Sequence, residues 1–199
     1  MTNRDEGVLV RLERAFGLTL TAEQRHQVRI YVEELRRWNR RINLTAIDRV
    51  DEHLRLNFFE AFWAAREFVG TDVRLADVGA GAGFPGLAMK IYRPELPVTL
   101  LEPNYKKAIF LKEMARQLEL GVSVLAVRGE EFDDWNEVNL ACFRALRPSA
   151  ELLDRLASRG VDLLLFEGRQ GVRNSRFRLV REAKVPLSEH RQIRLLTAV

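Results

Sequence analysis

The chain has 199 residues, a formal net charge of +4 and a pI near 9.6, with 47% apolar and 30% charged residues. That length suits one domain with an appendage and a substantial buried core, in a soluble globular chain. One cysteine excludes a disulfide scaffold or a cysteine-rich metal site, and no apolar run has the length of a membrane span or the form of a signal peptide, so the expectation is a cytoplasmic protein without a membrane partner or a metal.

Residues 1–70 read as helices. Val8, Leu9, Leu12 and Phe16 recur at helical spacing and Gly17 supplies a stop. Thr21-Ala-Glu-Gln24 has the form of a capping box. Beyond it Val28, Tyr31, Val32, Leu35, Trp38 and Ile42 make one apolar stripe, with Arg25, Arg29, Arg36, Arg37 and Arg40 on the opposite face. Asn43-Leu-Thr45 ends that helix, and residues 50–69 read as a third, with Leu54, Phe58, Phe62, Ala65 and Phe68 inward.

From Val73 the pattern becomes strand–helix alternation, the mark of a mostly parallel sheet covered by helices. Apolar runs at 73–78, 97–102, 122–127, 139–143 and 161–166 read as five strands, with helices over 106–120 and 151–157. Runs at 177–180 and 193–199 read as an antiparallel hairpin at the sheet edge. Residues 169–199 carry eight Lys and Arg against two Asp and Glu. Arginine contacts phosphate bidentately and stacks on bases, so this basic margin suggests nucleic acid, although a solvated surface explains it equally.

The chain is organised around Asp77-Val-Gly-Ala-Gly-Ala-Gly-Phe-Pro-Gly86. A strand, a turn with alternating glycines (Gly79, Gly81, Gly83) and a helix start let a backbone approach a cofactor closely, because a missing Cβ removes the steric barrier. Glu102 ends the second strand, where a carboxylate accepts hydrogen bonds from ribose hydroxyls. In a parallel sheet the ligand lies beyond the carboxyl ends of the strands, which places Arg128-Gly129-Glu130 and Arg144 there as well. Glu130 suits the exocyclic amine of adenine, and Arg144 stands where the reacting group would be.

These residues carry a resemblance to the ribosomal RNA small subunit methyltransferase G family, also called glucose-inhibited division protein B. Trp38-Asn-Arg-Arg-Ile-Asn-Leu-Thr45 resembles its Trp-Asn-x-x-x-Asn-Leu-Thr box, and residues 77–86 resemble its cofactor loop with the Pro-Gly included. Leu100-Leu-Glu102, Lys106-Lys-Ala-Ile-Phe-Leu111, Arg128-Gly-Glu-Glu131 and Arg144-Ala145 follow at matching intervals. The resemblance implies an α/β, Rossmann-like S-adenosylmethionine-dependent methyltransferase fold over 71–199 behind a helical subdomain over 1–70. It implies transfer of a methyl group to N7 of a guanine in 16S ribosomal RNA, with ribosomal RNA or the small ribosomal subunit as partner; a monomer is the expectation. Gly79, Gly81, Phe84, Glu102, Gly129, Glu130 and Arg144 are then the cofactor residues, and Arg144 and Arg128 border the substrate. No catalytic base is expected, because guanine N7 already offers a free lone pair and alignment with electrostatics suffices.

The chain departs from the family at three places. Residues 56–61 read Leu-Asn-Phe-Phe-Glu-Ala where the family has Arg-His-x-x-Asp-Ser; Glu167-Gly168 replaces Lys-Gly; and Leu146-Arg-Pro-Ser149 is atypical. These changes keep open a divergent relative that methylates another RNA site or a different substrate, or a non-catalytic cofactor- or RNA-binding module. An NAD-dependent dehydrogenase also satisfies the glycine pattern, but His26, His53 and His190 all fall outside the expected site, and Cys142 reads as core.

Overall fold

The computed structural model of the protein describes residues 3–167 and 174–199. Helices α1 (Asn3–Phe16) and α2 (Ala22–Ile42) come first. The capping box opens α2: the Thr21 hydroxyl accepts from the Gln24 amide at 3.1 Å, and the Gln24 side chain accepts from the Thr21 amide at 2.9 Å. The other end of the Gln24 amide donates to the carbonyls of Ile91 and Tyr92, which ties this helix start to a distant helix end.

Residues 50–69, expected as one α-helix, form three consecutive segments: α3 (Val50–Glu52), a π-helical stretch (His53–Phe59) and α4 (Glu60–Phe68). The stretch closes with the Glu60 amide donating to the Arg55 carbonyl, an i→i+5 bond. The wider turn keeps Leu54, Phe58 and Phe62 in the core as expected and also turns Asn57 and Glu60 inward. A 3.6-residue period does not reveal that set of inward positions. Each fully buried phenylalanine contributes roughly 1.5–3 kcal/mol.

Seven strands form one sheet in the order β3-β2-β1-β4-β5-β7-β6. They are β1 (Leu75–Val78), β2 (Val98–Leu101), β3 (Ser123–Leu125), β4 (Leu140–Arg144), β5 (Asp162–Glu167), β6 (Phe177–Lys184) and β7 (Gln192–Ala198). The first five are parallel, and β7 runs antiparallel to β5 and β6. Strand β6 extends beyond the expected 177–180 because its added residues sit at the sheet edge and are mostly exposed, so they carry no apolar signal.

Alternation along β4 and β5 sends residues to both faces. Leu140, Cys142, Leu164 and Phe166 join the core shared with α1 to α4, α5 (Gly86–Tyr92) and α6 (Tyr105–Gln117). Ala141, Phe143, Leu163 and Leu165 face α7 (Ala150–Ser158), Phe132 and Trp135. The strand order reverses at β1, which lies between β2 and β4, so a crevice opens beyond their carboxyl ends.

Candidate active site

The glycine turn is held from two directions. From the sheet, buried Asp77 accepts the Gly86 amide at 2.8 Å and fastens the start of α5 to β1. Burial pushes its carboxyl up to about 6, opposed by the Gly86 hydrogen bond, the Cys142 thiol and Arg144. Burial also raises the Cys142 thiol well above its ordinary range, helped by Asp77, so this thiol stays protonated in the core. From the N-terminal helices, Tyr31 of α2 donates its hydroxyl to the Ala82 carbonyl at 2.7 Å and stacks on Phe84 at 5.2 Å. The sequence places Tyr31 in an apolar stripe; its polar tip, which shapes the turn, carries no local signal.

Gly79 has φ +72, and a Cβ there would lie 2.8 Å from Leu146 Cδ2. A side chain at this position would be strained by the left-handed backbone and would displace the Leu146 side chain of the segment after β4. Glu102 is buried, and its carboxylate accepts the Gly81 amide at 2.7 Å and the Asn104 amide at 2.8 Å. It clasps the end of β2 to the glycine turn and keeps lone pairs for a hydroxyl. Glu130 accepts from the Ser149 hydroxyl at 2.7 Å, and that bond holds its carboxyl below the usual range.

Gly79, Gly81, Phe84, Glu102, Arg128, Gly129, Glu130 and Arg144 all line one cavity of about 660 Å³. Leu44, Thr45 and Ile47 line it too, a contribution the sequence pattern missed. Asn39 builds that wall: its side-chain amide donates to the Thr45 carbonyl at 2.9 Å, and its oxygen accepts from the amides of Leu44 and Thr45. The Asn39 and Thr45 of the resemblance box therefore meet in space, which was the available signal.

Arg144 points into the same cavity. One of its terminal nitrogens donates to Asn57 Oδ1 at 2.9 Å, and no other hydrogen bond engages it among the described residues. Asn57 in turn faces His53 Nδ1 at 3.0 Å. Since Asn57 Oδ1 is the acceptor for Arg144, its amide nitrogen donates to His53, whose Nδ1 must be unprotonated. Burial lowers the His53 pKa, with Arg36 acting in the same direction, which keeps that ring neutral. His53 therefore stands one hydrogen bond from a residue of the site.

The departures at 56–61 and 167 are satisfied internally. Arg191 grips buried Glu60 with three hydrogen bonds of 2.9–3.1 Å. Arg194 pairs with Glu167 at 3.3 Å, so the reversed charge at the end of β5 is neutralised, while Gly168 lies outside the described residues.

The cavity has the size and character of a nucleoside site: a glycine cradle with a left-handed backbone at Gly79, a buried carboxylate at the end of β2, and an apolar lining from Phe84, Val78 and Leu152. Among the described residues no group of three or more His, Cys, Asp and Glu could hold a metal, and no helix is long and apolar enough to cross a membrane. The sheet order and the cradle at its switch point define an S-adenosylmethionine-dependent methyltransferase fold. A solved S-adenosylmethionine-dependent methyltransferase from Aquifex aeolicus superimposes with a TM-score of 0.58 at 18% identity, over 74% of this chain and 93% of that one. Residues 24–174 match the profile of the rRNA small subunit methyltransferase G family, and the chain belongs to it. The Ribosomal RNA small subunit methyltransferase G of Aquifex aeolicus (strain VF5) is 39% identical over 71% of this chain and 75% of its own length. That of Roseiflexus castenholzii is 43% identical over 61% of this chain, but the match spans only 53% of the relative.

Proposed function

We propose that the protein transfers a methyl group from S-adenosylmethionine to N7 of a guanine in 16S ribosomal RNA. The observation that carries this reading is the meeting of the glycine turn, Glu102 and Arg144 around one cavity at the switch point. When bound, S-adenosylmethionine supplies an electrophilic methyl on a sulfonium. Glu102 holds the ribose hydroxyls with its remaining lone pairs, and Gly129 and Glu130 hold the adenine end. Gly79, Gly81 and Phe84 line the cofactor. Residues 1–70 form the helical subdomain that faces the RNA, and residues 71–199 form the cofactor domain.

Arg144 borders cofactor and substrate. Its free donors are suited to guanine O6, which leaves N7 uncovered for attack. Guanine N7 needs no deprotonation, so the chain's contribution is orientation and exclusion of water. Arg128 is exposed and lines the cavity, which suits it to contact the RNA.

The test combines the purified protein, labelled S-adenosylmethionine and small ribosomal subunits from a strain lacking the family enzyme. Label recovered as 7-methylguanosine at one site is expected, and Arg144→Ala should lose it while remaining folded. Cofactor binding without any transfer to the subunit would overturn the reading.

A further inference from the structure

A second cavity, of about 680 Å³, adjoins the first. Thr45 and Ile47 line both, so a wall built from the segment after α2 separates them. Arg36, Arg37 and Arg40 of α2 line the far side of this second cavity, against the acids Glu33 and Asp48.

Ion pairing sorts the arginines of α2. Arg25 pairs with Glu13, Arg29 with Glu6 and Arg37 with Glu34. Arg36 and Arg40 are exposed, and neither makes a hydrogen bond or an ion pair among the described residues. Being four apart, they lie on one face of the helix. The basic C-terminal margin behaves differently. Arg176 pairs with Asp154, Arg181 with Glu67, Arg191 with Glu60 and Arg194 with Glu167 and Glu182. Four cations of this segment are thus paired with acids, most of which come from elsewhere in the fold. Arg36 and Arg40 lie unpaired beside the first cavity, on a part of the chain whose sequence balance is nearly neutral.

We propose that the cavity between α2 and the wall formed by Thr45 and Ile47 binds backbone phosphates of the RNA substrate through Arg36 and Arg40. The inference rests on the proposed RNA substrate. The two guanidinium groups grip the strand next to the methylated guanine, and their position one wall away from Arg144 sets which base enters the cofactor cavity.

The experiment measures binding of an in-vitro transcript of small-subunit ribosomal RNA across a range of salt concentrations. Losing two phosphate contacts should make the slope of log Kobs against log[salt] shallower by about 1.4–1.8 and weaken binding about tenfold in the Arg36→Gln/Arg40→Gln variant. The charge-matched control is Arg178→Gln/Lys184→Gln, at two exposed cations on β6; it should keep the wild-type slope. Arg36→Lys/Arg40→Lys should restore most of the slope, which separates charge from folding, and S-adenosylmethionine titrated by calorimetry should bind all variants alike. An unchanged slope in the glutamine variant, or an equal loss in the control, overturns the inference alone. Wild-type protein that binds S-adenosylmethionine but no RNA overturns the substrate reading and this inference with it.

Discussion

Arg144 and Asn57 are 87 positions apart in the chain and 2.9 Å apart at their side-chain tips. One arises at the end of β4, the other from the π-helical stretch, and His53 holds the second in the orientation the first requires. Burial lowers the Arg144 pKa, opposed by Glu60, and Asn57 is its hydrogen-bond partner among the described residues. Asn57→Ala removes the acceptor without touching the glycine turn. The methyl-transfer rate should fall about tenfold to a hundredfold, equivalent to about 1.4–2.7 kcal/mol. Single-turnover transfer and calorimetric cofactor titration check this; cofactor affinity falling in step with the rate would mean that Asn57 serves the cofactor instead of Arg144.

Two glycines of the turn should respond differently to alanine. At Gly83, φ is +84 and a new Cβ would lie 2.0 Å from the Tyr31 hydroxyl. At Gly81, φ is +58 and the nearest atom is the Gly79 carbonyl at 3.7 Å. Gly81→Ala should therefore cost only the left-handed backbone penalty of about 1–2 kcal/mol. Gly83→Ala adds a clash with the hydroxyl that organises the turn and should cost about 3 kcal/mol or more. Denaturant unfolding distinguishes them, and equal losses would show that the Tyr31 contact yields freely.

Asp77 gives a pH dependence of unusual sign for a carboxylate. Its folded pKa, pushed up to about 6 by burial, lies above the ordinary value of 3.8. The folded state binds this proton more tightly than the unfolded chain. Its stabilising contribution is fully present below about pH 3.8 and is lost as pH rises through about 6. A shift of about two units corresponds to roughly 3 kcal/mol. Asp77→Asn keeps an acceptor for the Gly86 amide and removes the buried charge. The variant should lose this component of the pH dependence and be the more stable protein relative to wild type at pH 7 than at pH 4. Unfolding free energies at the two pH values decide it; a constant difference between the proteins would place the Asp77 pKa at its ordinary value.

The sheet, its hairpin edge and the glycine turn were legible because their causes are local. Continuous apolar runs mark strands buried on both faces, and alternating glycines mark a backbone that bends where a side chain cannot fit. The residues at strand ends could be assigned to one crevice because a parallel sheet collects its carboxyl ends on one side. Each of Gly79, Glu102, Gly129 and Arg144 indeed lines that cavity. What tertiary structure alone decided is how the polar groups are partnered. The π-helical turn, the donation from Tyr31 to the glycine loop and the pairing of Arg191 with Glu60 across 131 positions depend on contacts between segments far apart in sequence. So does the distribution of charge: a count along the chain puts the basic excess at the C-terminus, whereas ion pairing in the fold leaves Arg36 and Arg40 unpaired beside the cofactor cavity. Apolar periodicity records burial residue by residue, but a hydrogen bond or an ion pair depends on the position of a second group, and that position exists only once the chain has folded.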